Sequence, residues 1–241
     1  MEDNIYVGNG PYNVGSRYAS RHCYFDIDKQ HADKYNETYK KYKSTVIVFI
    51  TTGIVVAGLG GWLFTFTSLW MKIIAGILIL LGIVIIAFGV LLAIKTGNSI
   101  TMLQRGVLNP AIIAKIDGDN IGLLVLAELT TGSKIEWGIH SMQVKKLPGH
   151  EIKIGEKVPV TCSFLGDTIE GEDIFTSLIV TAIAWGTPDI SVIRKSINSI
   201  PDIEWNALEQ LIDRHDYKSD YSDQQCLQKL NETEIKALHL D

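Results

Sequence analysis

The feature that most constrains this chain is the stretch from Ser44 to Ile94, in which Lys72 is the single charged residue. Lys72 separates two long apolar runs. A helix needs about 20 apolar residues to cross about 30 Å of hydrocarbon, so each run is long enough to span a membrane once. We therefore expect a membrane hairpin within residues 44–96, with helices at about 45–66 and 71–94.

Two other interpretations of the apolar runs are weaker. A core helix of a soluble protein seldom stays apolar on every face for so long. A secretory signal would begin near the start of the chain, whereas more than forty residues with many charges come first, and no small-residue cleavage site follows. Aromatic side chains also border the expected spans, as is typical of membrane interfaces. They are Tyr39, Tyr42, Trp62 and Trp70.

The distribution of basic residues predicts the orientation of the hairpin. Cytoplasmic loops carry an excess of Lys and Arg close to the membrane. The turn contributes only Lys72, whereas eight basic residues lie within about 20 positions of the outer ends of the two runs. These are Lys29, Lys34, Lys40, Lys41, Lys43, Lys95, Arg105 and Lys115. We expect both termini on the cytoplasmic side.

Small residues recur on one face of each expected helix, where backbones can approach closely. In the first helix they lie four residues apart, at Gly53, Ala57 and Gly61. In the second helix they lie seven residues apart, at Ala75, Gly82 and Gly89. Either the two faces pack on each other, or one face joins a second copy or a membrane partner. Apart from Lys72 at the turn, neither span contains an ionisable group, which argues against a transporter or channel unless the chain oligomerises.

The charge of the chain is unevenly distributed. Of 241 residues 46% are hydrophobic, and the positive mean hydropathy of +0.16 comes largely from the hairpin. Residues 1–96 carry a net charge of +3 and residues 97–241 a net charge of −8. Because an acidic domain is a poor partner for phosphate backbones, we expect no nucleic-acid binding. The remaining length suits one soluble domain and a tail.

No motif of established chemistry stands out. The cysteines at 23, 162 and 226 are odd in number and lack C-x-x-C spacing, so we expect Cys162 to be a core thiol and the other two to be exposed. His140, His150, Glu151 and Cys162 lack the spacing of metal ligands. The acidic residues lie in expected turns beside glycine. We therefore expect no catalytic residue, no metal and no cofactor.

The arm of residues 1–43 begins with several glycines and a proline, and its last part, HADKYNETYKKYK, predicts a polar helix leading into the membrane. Two interpretations of the arm remain open. It is a disordered or surface-lying leader, or its aromatic residues dock onto the soluble domain or a partner.

Residues 97–187 predict a β-rich domain. Five segments alternate in polarity and are separated by turn residues: AIIAKI, GLLVLAEL, KIEWGIHSMQVKKL, KVPVTCSF and IFTSLIVTAIAW. We expect a small five-stranded β-barrel, OB-like or SH3-like. Pro159 would lie at an edge or bulge because it cannot donate to a ladder, and that edge is a candidate for strand addition by a partner.

Helices are expected after the barrel. Thr187-Pro188-Asp189 and Pro201-Asp202 are typical helix starts, and they predict helices within residues 188–216. Residues 217–241 predict a polar tail with a short amphipathic helix. Its apolar stripe of Leu227, Leu230 and Leu238 packs on the barrel or binds a partner.

The runs GVLNPAIIAKI, LTTGS, WGIH, KKLPGHEIKIGEKVPVTCSF and AIAWGT resemble an uncharacterised family of bacterial membrane proteins with two amino-terminal helices before such a domain. The resemblance covers roughly residues 45–210. It implies a membrane helical hairpin, located in the bacterial inner membrane, plus an α+β soluble domain. It implies no activity and no site residues.

Three functions remain open. The first is a membrane-anchored interaction or scaffold module with a protein partner, including an immunity or accessory protein of a toxin-secretion system. The second is a membrane-surface enzyme or ligand-binding protein, which would need a concave pocket, for instance around Trp137 and His140. The third is an oligomeric pore, which would need homo-oligomers through the transmembrane helices.

Overall fold

The structure is a computed structural model that describes residues 6–9, 21–129, 135–165, 175, 177–212 and 226–240. The chain divides into two compact units. The hairpin unit is Thr38–Asn98, and the sheet unit is Met1–Glu37 together with Ser99–Asp241.

The hairpin unit consists almost entirely of two helices, α2 (Glu37–Leu63) and α3 (Leu69–Thr96), which are long and apolar enough to cross a membrane. Only 11% of the apolar window of each helix is buried, so neither is the covered core helix of a soluble domain. The two expected apolar helices are confirmed. Helix α2 starts at Glu37 rather than near 45 because the polar stretch before Ser44 continues the same helix.

Among the described residues, the sheet unit contains eight antiparallel strands. They are β1 (Tyr6–Asn9), β2 (Arg21–Tyr24), β3 (Val107–Asp117), β4 (Asn120–Glu128), β5 (Trp137–Val144), β6 (Lys157–Leu165), β7 (Ser177–Ala182) and β8 (Cys226–Lys229). Six of them lie in the order β7-β6-β3-β4-β5-β8. The β1–β2 hairpin joins the sheet where His22 pairs with Val107.

The expectation of a closed five-stranded barrel was wrong. The five expected strands exist as β3 to β7, but they form a curled half-barrel whose end strands, β7 and β8, do not pair within the described part of the chain. Two features explain the open sheet. Strand β8 occupies the outer edge of β5, which a closed barrel would have used, and β7 ends in a 3₁₀ turn at Ile183–Trp185.

Both faces of the sheet are buried, each in its own apolar core. Alternation along β4 shows the division: Leu123 and Val125 lie in one core, and Leu124 and Leu126 in the other. The first core also holds Val158, Val160 and Cys162, all fully buried, and Phe164 packs against it half-buried. This confirms the expected alternation in β6. We call it the inner core, and the second the outer core.

Helices cover the outer core. They are α5 (Ile190–Asn198), α6 (Asp202–Ile212) and α7 (Glu232–Ala237). The expected face of α6, with Trp205, Leu208, Leu211 and Ile212, is buried there, as predicted. Asp189, not Thr187, is the N-cap of α5, because its carboxylate accepts the amide hydrogen of Ser191.

The described part of the sheet unit also contains two short helices, α1 (Lys29–Tyr35) and α4 (Ser99–Arg105). The carboxylate of Asp28 caps α1 by accepting the amide hydrogens of Gln30 and His31. The expected continuous polar helix before the membrane is therefore broken. Asn36 has an extended backbone with ψ of 93° and separates α1 from α2.

Candidate functional site

The small residues of the hairpin mostly contact the other helix of the same hairpin. A Cβ on Gly53 or Gly82 would lie 2.8 or 2.7 Å from a backbone oxygen of the opposite helix, and a Cβ on Gly89 would lie 3.1 Å from Phe49. A Cβ added to Gly82 would also lie 2.8 Å from the Cβ of Ala57. Gly61 differs from the others because a Cβ there would meet no atom within 4 Å. Gly53, Gly82 and Gly89 thus pack against the opposite helix of the hairpin.

The expectation that Pro159 lies at a free edge of the sheet was wrong. Strand β6 lies between β3 and β7, and Pro159 stands opposite Pro110 of β3. Two prolines can face each other only at a pair that makes no ladder hydrogen bonds. The pairing between β6 and β7 begins one residue later, at Val160. The missing amide hydrogen of Pro159 therefore interrupts no hydrogen bond with β7 either. Strand β6 is therefore not an edge strand, although its described pairing with β7 does not reach Pro159.

The three leucines of the tail do not form one exposed stripe. Leu227 lies in β8 and is half-buried against the inner core, whereas Leu230 and Leu238 are buried in the outer core. Because a strand and not a helix carries Leu227, its side chain faces the opposite core. In this structure, therefore, all three leucines pack on the protein's own sheet.

Trp137 and His140 lie on opposite faces of β5 and do not line a common pocket. The indole of Trp137 is in the outer core and donates to the carbonyl oxygen of Leu240 at 3.0 Å. His140 is 2% exposed, pairs with Val125 and Leu227 on the neighbouring strands, and its ring nitrogens have no hydrogen-bond partner among the described residues. Burial lowers the pKa of His140 to about 4, so its ring is neutral at pH 7.

Two thiols are buried, at Cys23 and Cys162. The expectation of an exposed Cys23 was wrong, because β2 packs it against α5, where its sulfur lies 3.3 Å from the hydroxyl of Ser196. Burial raises the pKa of both thiols, so neither is a reactive thiolate at neutral pH. The side chain of Cys226 lies outside the described residues.

The end of the amino-terminal arm docks onto the sheet unit. Arg21 donates to the fully buried carboxylate of Glu204 on α6 at 2.7 Å, and Cys23 and Phe25 join the outer core. Burial raises the pKa of Glu204, the Arg21 guanidinium opposes that shift, and the charge of Glu128 adds to it. Docking is thus carried by Arg21, Cys23 and Phe25, while Tyr24 stays 37% exposed. The tyrosines at 12 and 18 lie outside the described residues.

Four segments of the sheet unit are joined to one another by hydrogen bonds. We call them the collar: residues 28–37, helix α4, the 3₁₀ turn Ile183–Trp185 with Gly186, and Lys145–Lys146. The amide of Asp28 donates to the carbonyl oxygen of Gly186 at 2.9 Å. Nε2 of His31 lies 3.0 Å from the carbonyl oxygen of Ala184. The collar joins the arm to the end of β7.

The collar also holds the two points at which the chain enters and leaves the hairpin. The Ser99 hydroxyl, at the start of α4, donates to the Asp33 carboxylate at 2.6 Å. The carboxylate of Glu37, the first residue of α2, accepts the amide hydrogens of Lys145 and Lys146 at 2.8 to 3.1 Å. The indole of Trp185 donates to the carbonyl oxygen of Lys146 at 2.7 Å. These bonds lie within the sheet unit, at the residues next to which the chain passes into the hairpin unit and returns from it.

The sequence analysis missed the residues that form these bonds. Asp33, Glu37 and Ser99 are ordinary polar residues next to the apolar runs, and only their partners give them a role. One local signal was available: an acidic residue in the first turn of a helix is favoured by the helix dipole, and Glu37 takes that position in α2. Within the described residues, no group of three His, Cys, Asp or Glu side chains could hold a metal ion.

Comparisons with known proteins place most of the sheet unit in a family of unknown function. The family described as "Protein of unknown function (DUF3239)" matches residues 95–216. A solved crystal structure described as "a putative membrane protein from Corynebacterium diphtheriae" is similar at 24% sequence identity with a TM-score of 0.46, covering 51% of this chain and 99% of that chain. No curated protein matches the sequence.

Proposed function

We propose that this chain, which belongs to the DUF3239 family of proteins of unknown function, is a membrane-anchored interaction module. The hairpin spans the bacterial inner membrane twice, and the sheet unit works on the cytoplasmic side. The two apolar helices support the anchor. The excess of Lys and Arg beside the outer helix ends, compared with Lys72 alone near the turn, supports the cytoplasmic location of both termini.

The observation that carries the proposal is the fixed position of Glu37, the last residue of the sheet unit before the hairpin unit. Glu37 begins an apolar helix, yet its carboxylate is held by two backbone amides of the β5–β6 connection. Asp33 and Ser99 bond next to the other connection. The chain passes into the hairpin after Glu37 and returns at Ser99, so the hairpin tethers the sheet unit to the membrane, where it meets other membrane-bound proteins.

The partner we propose is a protein, and its binding surface is the acidic sheet unit. Residues 97–241 carry a net charge of −8, so a basic partner surface fits best. A narrower form of the proposal is an immunity or accessory protein of a toxin-secretion system. Association of two copies through the hairpin is a further form, in which Gly61 would contribute because its face is open.

The experiment is affinity purification of the tagged full-length chain from its own cells in mild detergent. We expect one protein to co-purify at near-stoichiometric yield. A control chain whose hairpin is replaced by an unrelated two-helix hairpin should retain that protein, since the sheet unit binds it. Absence of any specific protein at comparable yield would contradict the proposal.

A further inference from the structure

We propose that the tip of the β5–β6 connection, Glu151–Gly155, contacts the surface of the anionic lipid bilayer in which the chain is anchored. The inference rests on the proposed function, since it needs the hairpin to lie in a membrane. It names a second partner of the sheet unit, the lipid itself.

The tip exposes two large apolar side chains. Ile152 is 46% exposed and Ile154 is 60% exposed, which makes Ile154 the most exposed large apolar side chain described in the sheet unit. A soluble surface gains nothing from two isoleucines one residue apart in one loop. At a membrane interface, the same side chains enter the boundary between headgroups and acyl chains.

The tip is an ordered loop. The amide of Gly155 donates to the carbonyl oxygen of Ile113 at 2.8 Å, and the amide of Ile113 donates to that of Glu156 at 3.0 Å. Within the loop, the amide of Lys153 donates to Glu151. Gly155 has a φ of +88°, which glycine adopts without strain. The two isoleucines are therefore held outward by backbone bonds to β3.

Charge next to the tip suits an anionic surface. Lys145 and Lys146 begin the same connection, and both are exposed. Their backbone amides, and not their side chains, bind Glu37 in the described contacts. Lys153 adds little, because it is paired with Glu151 and Glu156. Lysines close to a membrane surface attract anionic headgroups.

The chain between the sheet unit and the membrane is short. Six residues of α2 separate Glu37 from Ser44, the start of the uncharged run, which corresponds to about 10 Å of helix. The headgroup layer takes up roughly 5 to 8 Å of that distance. Lys145 and Lys146, whose amides bind Glu37, begin the connection that carries the tip.

The test uses the full chain in nanodiscs, with an environment-sensitive fluorophore on a single cysteine. Cys226→Ser provides the background, since Cys23 and Cys162 are buried. The probe is placed at Ile154→Cys, and the matched control is Ile203→Cys on α6, which is 39% exposed. Nanodiscs contain phosphatidylcholine alone or mixed with phosphatidylglycerol, and some carry lipids with a quencher near the headgroup.

We expect blue-shifted emission and at least about twofold stronger lipid quenching at position 154 than at 203 in phosphatidylglycerol nanodiscs. The variant Lys145→Gln/Lys146→Gln keeps the amides that bind Glu37 and removes both charges. It should weaken the contact by about fivefold for each lysine. Equal quenching at 154 and 203 would overturn the inference, and equal contact with both lipid compositions would overturn its anionic part.

Failure of the proposed function gives a different result. If the chain does not enter nanodiscs and alkaline carbonate extracts it from membranes, the membrane anchor is wrong and the inference falls with it. If the chain inserts but position 154 reports water, the anchor stands and the lipid contact of the tip alone is wrong.

Discussion

His140 shows how a single residue can link the fold to pH. Its ring is buried in the inner core, and its pKa is lowered from 6.5 to about 4. The unfolded chain therefore takes up a proton below pH 6.5, while the folded chain resists it. The stability contributed by the neutral ring is fully present above pH 6.5 and is lost as the pH falls toward 4. Between pH 8 and pH 5 the loss amounts to about 2 kcal/mol.

We predict that His140→Leu removes this pH dependence. The variant should be at least as stable as the wild type at pH 8, because it replaces a buried polar ring without a described partner by an apolar side chain. Chemical unfolding of the full chain in detergent at pH 8 and pH 5 measures both effects. His239→Asn is the control, since Asn tolerates the φ of 56° found there. An unchanged pH slope in His140→Leu would contradict the prediction.

At the level of single residues, sequence patterns predicted burial better than bonding. The alternation in β6 predicted Val158, Val160 and Cys162 correctly, because period two alone decides which side chains face the core. The same reasoning placed Pro159 at an edge, since it could not show that Pro110 would stand opposite. Glu37 was missed because its partners are more than one hundred residues away in sequence.

The hairpin is the element in which a single methyl group should matter most. A Cβ on Gly82 would lie 2.7 Å from the backbone nitrogen of Ala57 and from the backbone oxygen of Gly53, so the helices would have to separate. Added volume at a tight contact costs about 1 to 3 kcal/mol. A Cβ on Gly76 would meet nothing within 4 Å.

We predict that Gly82→Ala loosens the hairpin and that Gly76→Ala does not. Phe49 and Phe88 report the helix contact, because their ring centroids are 5.2 Å apart. Cysteines at these two positions, in a Cys226→Ser background, should cross-link severalfold more slowly with Gly82→Ala than with Gly76→Ala or neither change. Equal rates in all three chains would show that the two helices do not pack through this seam.

At the scale of elements, the sequence predicted the helices and strands whose own residues form a clear pattern of polarity. Two apolar runs predicted two helices, and five alternating segments predicted β3 to β7. Strand β8 was missed because only its pairing with β5 makes the four residues Cys226–Lys229 a strand. The closed barrel was wrong for the same reason, since closure depends on which strand fills the last edge.

For the whole molecule, the proposed function rests on the uneven distribution of charged and apolar residues along the chain. The hairpin unit supplies two apolar spans, and the chain from residue 97 onward is acidic. Within the sheet unit, the collar holds Glu37 and Ser99, the residues on either side of the hairpin unit. The central claim is that the sheet unit lies on the cytoplasmic side of a membrane that the hairpin crosses twice.

Thiol labelling in intact cells tests that claim most directly. Single cysteines are placed at Ser68 in the helix turn and at Ile203 in the sheet unit, again with Cys226→Ser. A membrane-impermeant maleimide should label the cysteine at position 68 in intact cells and the one at position 203 only after lysis. Labelling of position 203 in intact cells, or protection of position 68 until lysis, would contradict the account.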